Sequence, residues 1–116
     1  MPLTLTKKDI IALNQRFDQG KLHNEASLDF ALSFCKRSAN WTKGLAYLTR
    51  AILLDHVFEE GNKRTALLLI VVLADMEGYE LYDDVAVRLI KEVIDRKITN
   101  INRIEEKIHH AIKPRK

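Results

Sequence analysis

An unbroken apolar run, Ala66 to Ala74, is the feature that most constrains what this chain can fold into. Such a run has no polar face to turn toward water, so the element that carries it is expected to be buried. Ile70 to Val72 alone would suit a buried strand, but the length of the stretch Asn62 to Met76 favours a helix at the centre of a bundle. A base, an acid, a glycine, an amide and two cations stand directly before it, from His56 to Arg64. Side chains carried on a buried element are held rigidly, which is how a functional site is pre-organised.

The composition limits the class of protein. The chain has 116 residues, of which 47% are hydrophobic and 30% charged, so we expect a single globular domain over residues 1–116. Only four Gly and two Pro interrupt it, which favours long helices over a turn-rich β fold. The net charge of +3 is too small to predict a nucleic-acid partner.

Cysteine content and the start of the chain predict the compartment. The single cysteine, Cys35, excludes an intrachain disulfide and suits a reducing cytoplasm. Its position on an apolar helical stripe predicts a buried side chain rather than a catalytic thiol. Met1 to Lys8 contains no apolar signal segment, and the longest apolar run is half a membrane span. We therefore expect a cytoplasmic protein without a membrane partner.

Apolar periodicity and capping residues predict an all-α bundle of about six helices around a buried central helix. Two loops separate the first three helices: Lys21 to Glu25, and Lys36 to Lys43 with Trp41 in its middle. Gly78 to Tyr82 is expected to be a short, partly extended linker, and His109 to Lys116 a solvated basic tail. The predicted helix starts are Thr6, Asn24, Trp41 or Thr42, Asn62, Asp83 or Asp84, and Asn100 or Thr99.

The junction before the apolar run has the features of an anion site. Gly61 permits a sharp turn, and Asn62 is a strong candidate for a helix N-cap. Backbone N–H groups in the first helical turn have no intrahelical partner, and the helix dipole favours an anion beside them. Lys63 and Arg64 add two cations at the end where the dipole disfavours them. A bound phosphate would explain why these charges are gathered there.

Two further side chains in the junction suit phosphate chemistry. Glu60 lies just before the turn and offers a carboxylate for a magnesium ion that bridges phosphate oxygens. His56 lies at the mouth of the loop, where an imidazole can act as a general base. The junction therefore predicts a site for phosphate chemistry that uses a magnesium ion.

The segment His56-Val57-Phe58-Glu59-Glu60-Gly61-Asn62-Lys63-Arg64 resembles the signature of the Fic/Doc (Fido) family, His-x-Phe-x-Asp/Glu-Gly-Asn-Gly/Lys-Arg. Seven positions match in order. Leu22 to Leu28 resembles the helix-opening stretch of that family, and Gly78 to Leu81 resembles the segment after its central helix. The resemblance covers nearly the whole chain and implies the same compact helical fold.

The resemblance implies a role for each matched residue. His56 would take a proton from a hydroxyl of a target protein, Phe58 would anchor the motif loop in the core, and Glu60 would bind magnesium. The nucleotide phosphates would be held by Gly61, Asn62, Lys63 and Arg64. A short flap that holds the target peptide precedes the motif helices in the family, which here points to Asn40, Trp41 and Thr42. Trp41 is also a candidate core anchor of the third helix.

Two positions place the resemblance in the Doc branch. Lys63 stands where the AMP-transferring branch usually has glycine, and Leu67 stands where that branch has a second arginine. This chain therefore resembles the toxins of the Doc branch. These bind the nucleotide in the orientation opposite to that in the AMP-transferring branch, and they transfer its γ-phosphate. The resemblance thus implies a kinase-like protein phosphotransferase. The alternative is a Fic-type adenylyltransferase that uses the same motif to transfer AMP.

The resemblance also implies two partners. Targets in the Doc branch belong to the class of translation elongation factors. Many Fic proteins restrain themselves with a Ser/Thr-x-x-x-Glu helix, but no Ser or Thr in this chain has Glu four residues later. We therefore expect restraint in trans by an antitoxin protein.

Overall fold

The computed structural model describes residues 5–38 and 40–115. This part of the chain folds as an all-α bundle of six helices with one small two-stranded sheet, which confirms the predicted fold class. Three parts of the predicted segments lie outside the described residues. They are residues 1–4 of the chain start, Ala39 of the second loop and Lys116 of the basic tail. The elements are α1 Lys7–Asn14, α2 Glu25–Arg37, α3 Trp41–Leu54, α4 Asn62–Met76, β1 Tyr79–Leu81, α5 Asp83–Asp95, α6 Ile101–Ala111 and β2 Ile112–Pro114.

Side-chain caps define most of the helix starts. Thr6 and Asp9 form a reciprocal capping box at α1. Asn24, Asn40 and Asn100 cap α2, α3 and α6 by accepting hydrogen bonds from backbone N–H groups in the first turn. Thr6, Asn24 and Asn100 are among the residues from which the helix starts were predicted, whereas Asn40 was not identified as a cap.

The buried central helix is α3 rather than α4. Ten of the fourteen residues of α3 are buried, against six of the fifteen in α4. Helices α2, α4, α5 and α6 all pack on α3. In α4 the side chains of Val71 and Met76 are 39% and 61% exposed. The prediction that α4 is buried on all sides is therefore wrong, because part of its surface remains exposed to solvent.

The C-terminal tail is paired rather than simply solvated. Strand β2 pairs antiparallel with β1, with Tyr79 opposite Pro114 and Leu81 opposite Ile112. Arg115 forms an ion pair with Asp75 at 3.0 Å. The extended Gly78–Tyr82 linker thus finds a partner at the far end of the chain. No helix in residues 5–38 and 40–115 is long and apolar enough to cross a membrane.

Candidate active site

A cleft of about 1000 Å³ opens where α3 ends and α4 begins. Its wall includes Phe17 and Asp18 after α1, the loop between α3 and α4, and Lys97 and Thr99 after α5. Of the predicted site residues, the cleft brings together His56, Glu60, Gly61, Asn62, Lys63 and Arg64. Phe58 is not in the cleft but beneath it, with 1% of its surface exposed.

His56 lies in the mouth of the cleft with a strained backbone. Asp55 caps the end of α3, and His56 follows in the left-handed region with φ 52°. A non-glycine residue there costs about 1 kcal/mol or more, and such residues concentrate at functional sites. The side chain is exposed, and no hydrogen bond of the imidazole occurs within the described residues. The ring is thus available to a ligand.

The loop after His56 is held from both sides. Val57 and Phe58 are buried, and Phe58 forms an isolated antiparallel bridge with Leu22. The backbone N–H of His23 donates to the Val57 carbonyl at 2.7 Å, and that of Glu59 donates to the Lys21 carbonyl at 3.0 Å. The segment before α2 therefore acts as a short strand that fixes the loop.

Asn62 closes this loop instead of capping α4. Its Oδ1 accepts from the Phe58 N–H at 3.0 Å, and its Nδ2 donates to the Phe58 carbonyl at 2.9 Å. The N-cap is Gly61, one residue earlier than predicted, with φ 76°. Because both ends of the Asn62 amide are engaged with Phe58, its backbone N–H is the group left to contact an anion.

The N-terminus of α4 is open to the cleft. The first helical hydrogen bond runs from Thr65 N–H to the Gly61 carbonyl at 2.9 Å, and no side chain of the described residues caps the three N–H groups before it. Lys63 and Arg64 are exposed beside them and belong to none of the ion pairs in the described part of the chain. Backbone donors, helix dipole and two cations thus converge on one anion-binding position.

Glu60 suits a magnesium ion that is shared with a phosphate. Its carboxylate is exposed in the cleft, and its carbonyl oxygen accepts from Asn14 Nδ2 at 2.9 Å, which fixes the backbone beneath it. Magnesium is usually held by one or two carboxylates together with substrate phosphates. No group of three or more His, Cys, Asp or Glu residues forms a metal cage within residues 5–38 and 40–115. A carboxylate at Glu60, directly before the first turn of α4, fits this mode of binding.

Asn14 supports the cleft and was not among the predicted site residues. It is fully buried, donates to the Glu60 carbonyl and to Thr65 Oγ1 at 3.0 Å, and accepts from Gly20 N–H at 2.8 Å. A Cβ at Gly61 would lie 3.2 Å from Asn14 Nδ2, which is a tight contact, and the φ of 76° at this position also favours glycine. The available signal was an amide four residues after the core residue Ile10, on the buried face of α1.

The predicted flap residues lie far from the cleft. Asn40 caps α3, while Trp41 and Thr42 are buried in its first turn with 9% and 3% exposure. His56 follows the other end of this fourteen-residue helix, which spans about 21 Å. Trp41 thus takes its alternative role as a core anchor of α3, and Asn40 is the exposed residue of the three. A target-binding flap at these residues stays a prediction.

The chain was compared with protein-family models, with curated proteins and with solved structures, and none of the three comparisons gives a match.

Proposed function

We propose that this chain is a Doc-like protein phosphotransferase of the Fic/Doc family. It moves the γ-phosphate of ATP to a Ser or Thr hydroxyl of a target protein of the translation elongation factor class. The observation that carries the proposal is the single cleft shared by His56, Glu60 and the open N-terminus of α4. A base, a carboxylate and an anion position around one opening are the parts that phosphoryl transfer requires.

The chemistry assigns the proton and the charge to different residues. His56 takes the proton of the target hydroxyl as its oxygen attacks the γ-phosphorus. The bond from that phosphorus to the oxygen it shares with the β-phosphate breaks, and ADP leaves. Lys63, Arg64 and the first N–H groups of α4 hold the phosphoryl oxygens and stabilise their charge. Glu60 would hold a magnesium ion, which when bound neutralises charge on the phosphate oxygens.

Lys63 favours transfer of the γ-phosphate over transfer of AMP. Its side chain lies on the cleft wall at the first turn of α4, where a glycine would leave room. Leu67, one turn further along α4, contributes no cation to the phosphate clamp. This pattern resembles the Doc branch. The proposal also includes a cytoplasmic location and restraint by an antitoxin, both of which were expected from the sequence.

The experiment is intact-protein mass spectrometry of elongation factors incubated with ATP, Mg²⁺ and this protein. We expect a gain of about 80 Da, one phosphoryl group, on the target. A gain of about 329 Da, one AMP unit, would instead identify an adenylyltransferase. His56→Ala is the control and should abolish the gain. A mass gain that survives His56→Ala, or no gain on any factor, would contradict the proposed function.

A further inference from the structure

A second, apolar groove continues the cleft between α4 and α5. It encloses about 360 Å³, within the size range of small-ligand pockets. Lys63, Arg64 and Ile94 line both the cleft and the groove, so the two spaces meet at the cationic end of α4. Beyond this junction the groove is lined by Leu67, Val87 and Ile90.

The groove is built by side chains on one face of each helix. Leu67 lies four residues after Lys63, which places it one turn further along the same face of α4. Val87, Ile90 and Ile94 succeed one another at helical spacing on α5. Ile90 is 6% exposed, whereas Val87 is 54% exposed and stays open to solvent. The groove is thus a cationic entrance followed by an apolar channel.

This order of groups matches one class of ligand. A phosphate chain held at the N-terminus of α4 is anionic, and the part of a nucleotide beyond it is a ribose with a flat base. Flat rings gain most from apolar walls that exclude water from their faces. Lys91 and Asp95 lie at the rim of the groove, where they can hydrogen-bond polar edges of such a ring.

We infer that the α4–α5 groove binds the nucleoside part of the nucleotide whose phosphates occupy the cleft. This inference rests on the proposed function and deepens it. It places the terminal phosphate beside His56 and directs the base away from it along Leu67 and Val87. Val87 is then a residue that determines affinity for the nucleoside without touching the reacting atoms.

The test compares two ligands on one variant and its matched control. Titration calorimetry with Mg²⁺ measures binding of an ATP analogue with a non-hydrolysable β–γ bond and of inorganic tripolyphosphate, which has no nucleoside. Val87→Gln makes the groove polar without adding charge. Val71→Gln makes the same change at another exposed valine, one that is 39% exposed on α4 and does not line the groove.

We expect Val87→Gln to weaken binding of the ATP analogue about tenfold, since contact with one apolar side chain is lost, and to change tripolyphosphate binding less than about twofold. Val71→Gln should leave both affinities unchanged. Unchanged affinity of Val87→Gln for the analogue, or an equal loss for both ligands, would overturn the inference while phosphotransfer persists. A wild-type chain that binds neither ligand would contradict the proposed function as well.

Discussion

His56 combines its proposed role as a general base with an unfavourable backbone conformation. Its φ is 52°, a value that glycine adopts without cost and that is unfavourable for a residue with a Cβ. The neighbouring loop is pinned by the Phe58–Leu22 bridge and by the Asn62 amide, so the strain is imposed by contacts on either side. The same contacts hold the imidazole at the mouth of the cleft. The strained backbone at His56 thus lowers the stability of the fold while it fixes the position of the imidazole.

Two substitutions at His56 separate these effects. Both His56→Gly and His56→Ala remove the proposed base, and each should reduce the proposed phosphotransfer by about 10²-fold or more. Only glycine relieves the left-handed backbone, so His56→Gly should be more stable than His56→Ala by about 1 kcal/mol. Urea unfolding of the two variants measures the difference. Equal stabilities would show that the backbone at this position is unstrained.

At the scale of elements, local signals were easier to predict than long-range ones. The starts of α1, α2 and α6 depend on a capping side chain within one turn, and Thr6, Asn24 and Asn100 could be identified directly in the sequence. Pairing of β2 with β1 needs partners more than thirty residues apart, for which the tail offered no pattern. The role of Trp41 was open for a similar reason, since its side chain fits either a substrate contact or a core anchor until its neighbours are known.

Asn14 connects α1 to α4 and is the clearest test of a contact between elements. Asn14→Asp keeps the acceptor for Gly20 N–H but removes the donor to the Glu60 carbonyl and Thr65 Oγ1. Because the site is fully buried, we expect a loss of about 2 kcal/mol in the free energy of unfolding. Asn102→Asp, at an exposed position of α6, should change it by less than about 0.5 kcal/mol. Urea denaturation measures the free energy of unfolding of both variants. Similar losses in the two would show that the hydrogen bonds of Asn14 do not stabilise the packing of α1 on α4.

For the whole molecule, the apolar run predicted a core element, but it wrongly placed that element, α4, at the centre of the bundle. An all-apolar sequence shows that an element can be buried on every side. The number of neighbours that surround it depends on how the other helices pack. Helix α3, with Gly44, Ala46 and Ala51 among its buried residues, lets other helices approach closely and takes the central place. The candidate site was predictable because its residues are contiguous in sequence, whereas the α4–α5 groove needed the packed bundle to exist.

The packing of α2 on α3 gives the molecule a pH-dependent stability at high pH. Cys35 is 1% exposed, its Sγ lies 3.4 Å from the Gly44 carbonyl, and burial raises the pKa of its thiol from 9.0 to about 11. The folded chain therefore keeps the thiol proton in a range where the unfolded chain has lost it. Between these two pKa values the unfolded state binds fewer protons, so stability falls as pH rises.

We expect the free energy of unfolding to decrease by about 1–2 kcal/mol more in the wild type than in Cys35→Ala between about pH 8 and pH 10.5. The variant serves as the control because lysines and tyrosines titrate in both proteins over the same range. Urea denaturation at several pH values measures the difference. Below the ordinary thiol pKa the difference between the two proteins should not vary with pH, because the thiol is protonated in both states. Parallel pH profiles across the whole range would show that the contact between α2 and α3 does not shield the Cys35 thiol from water.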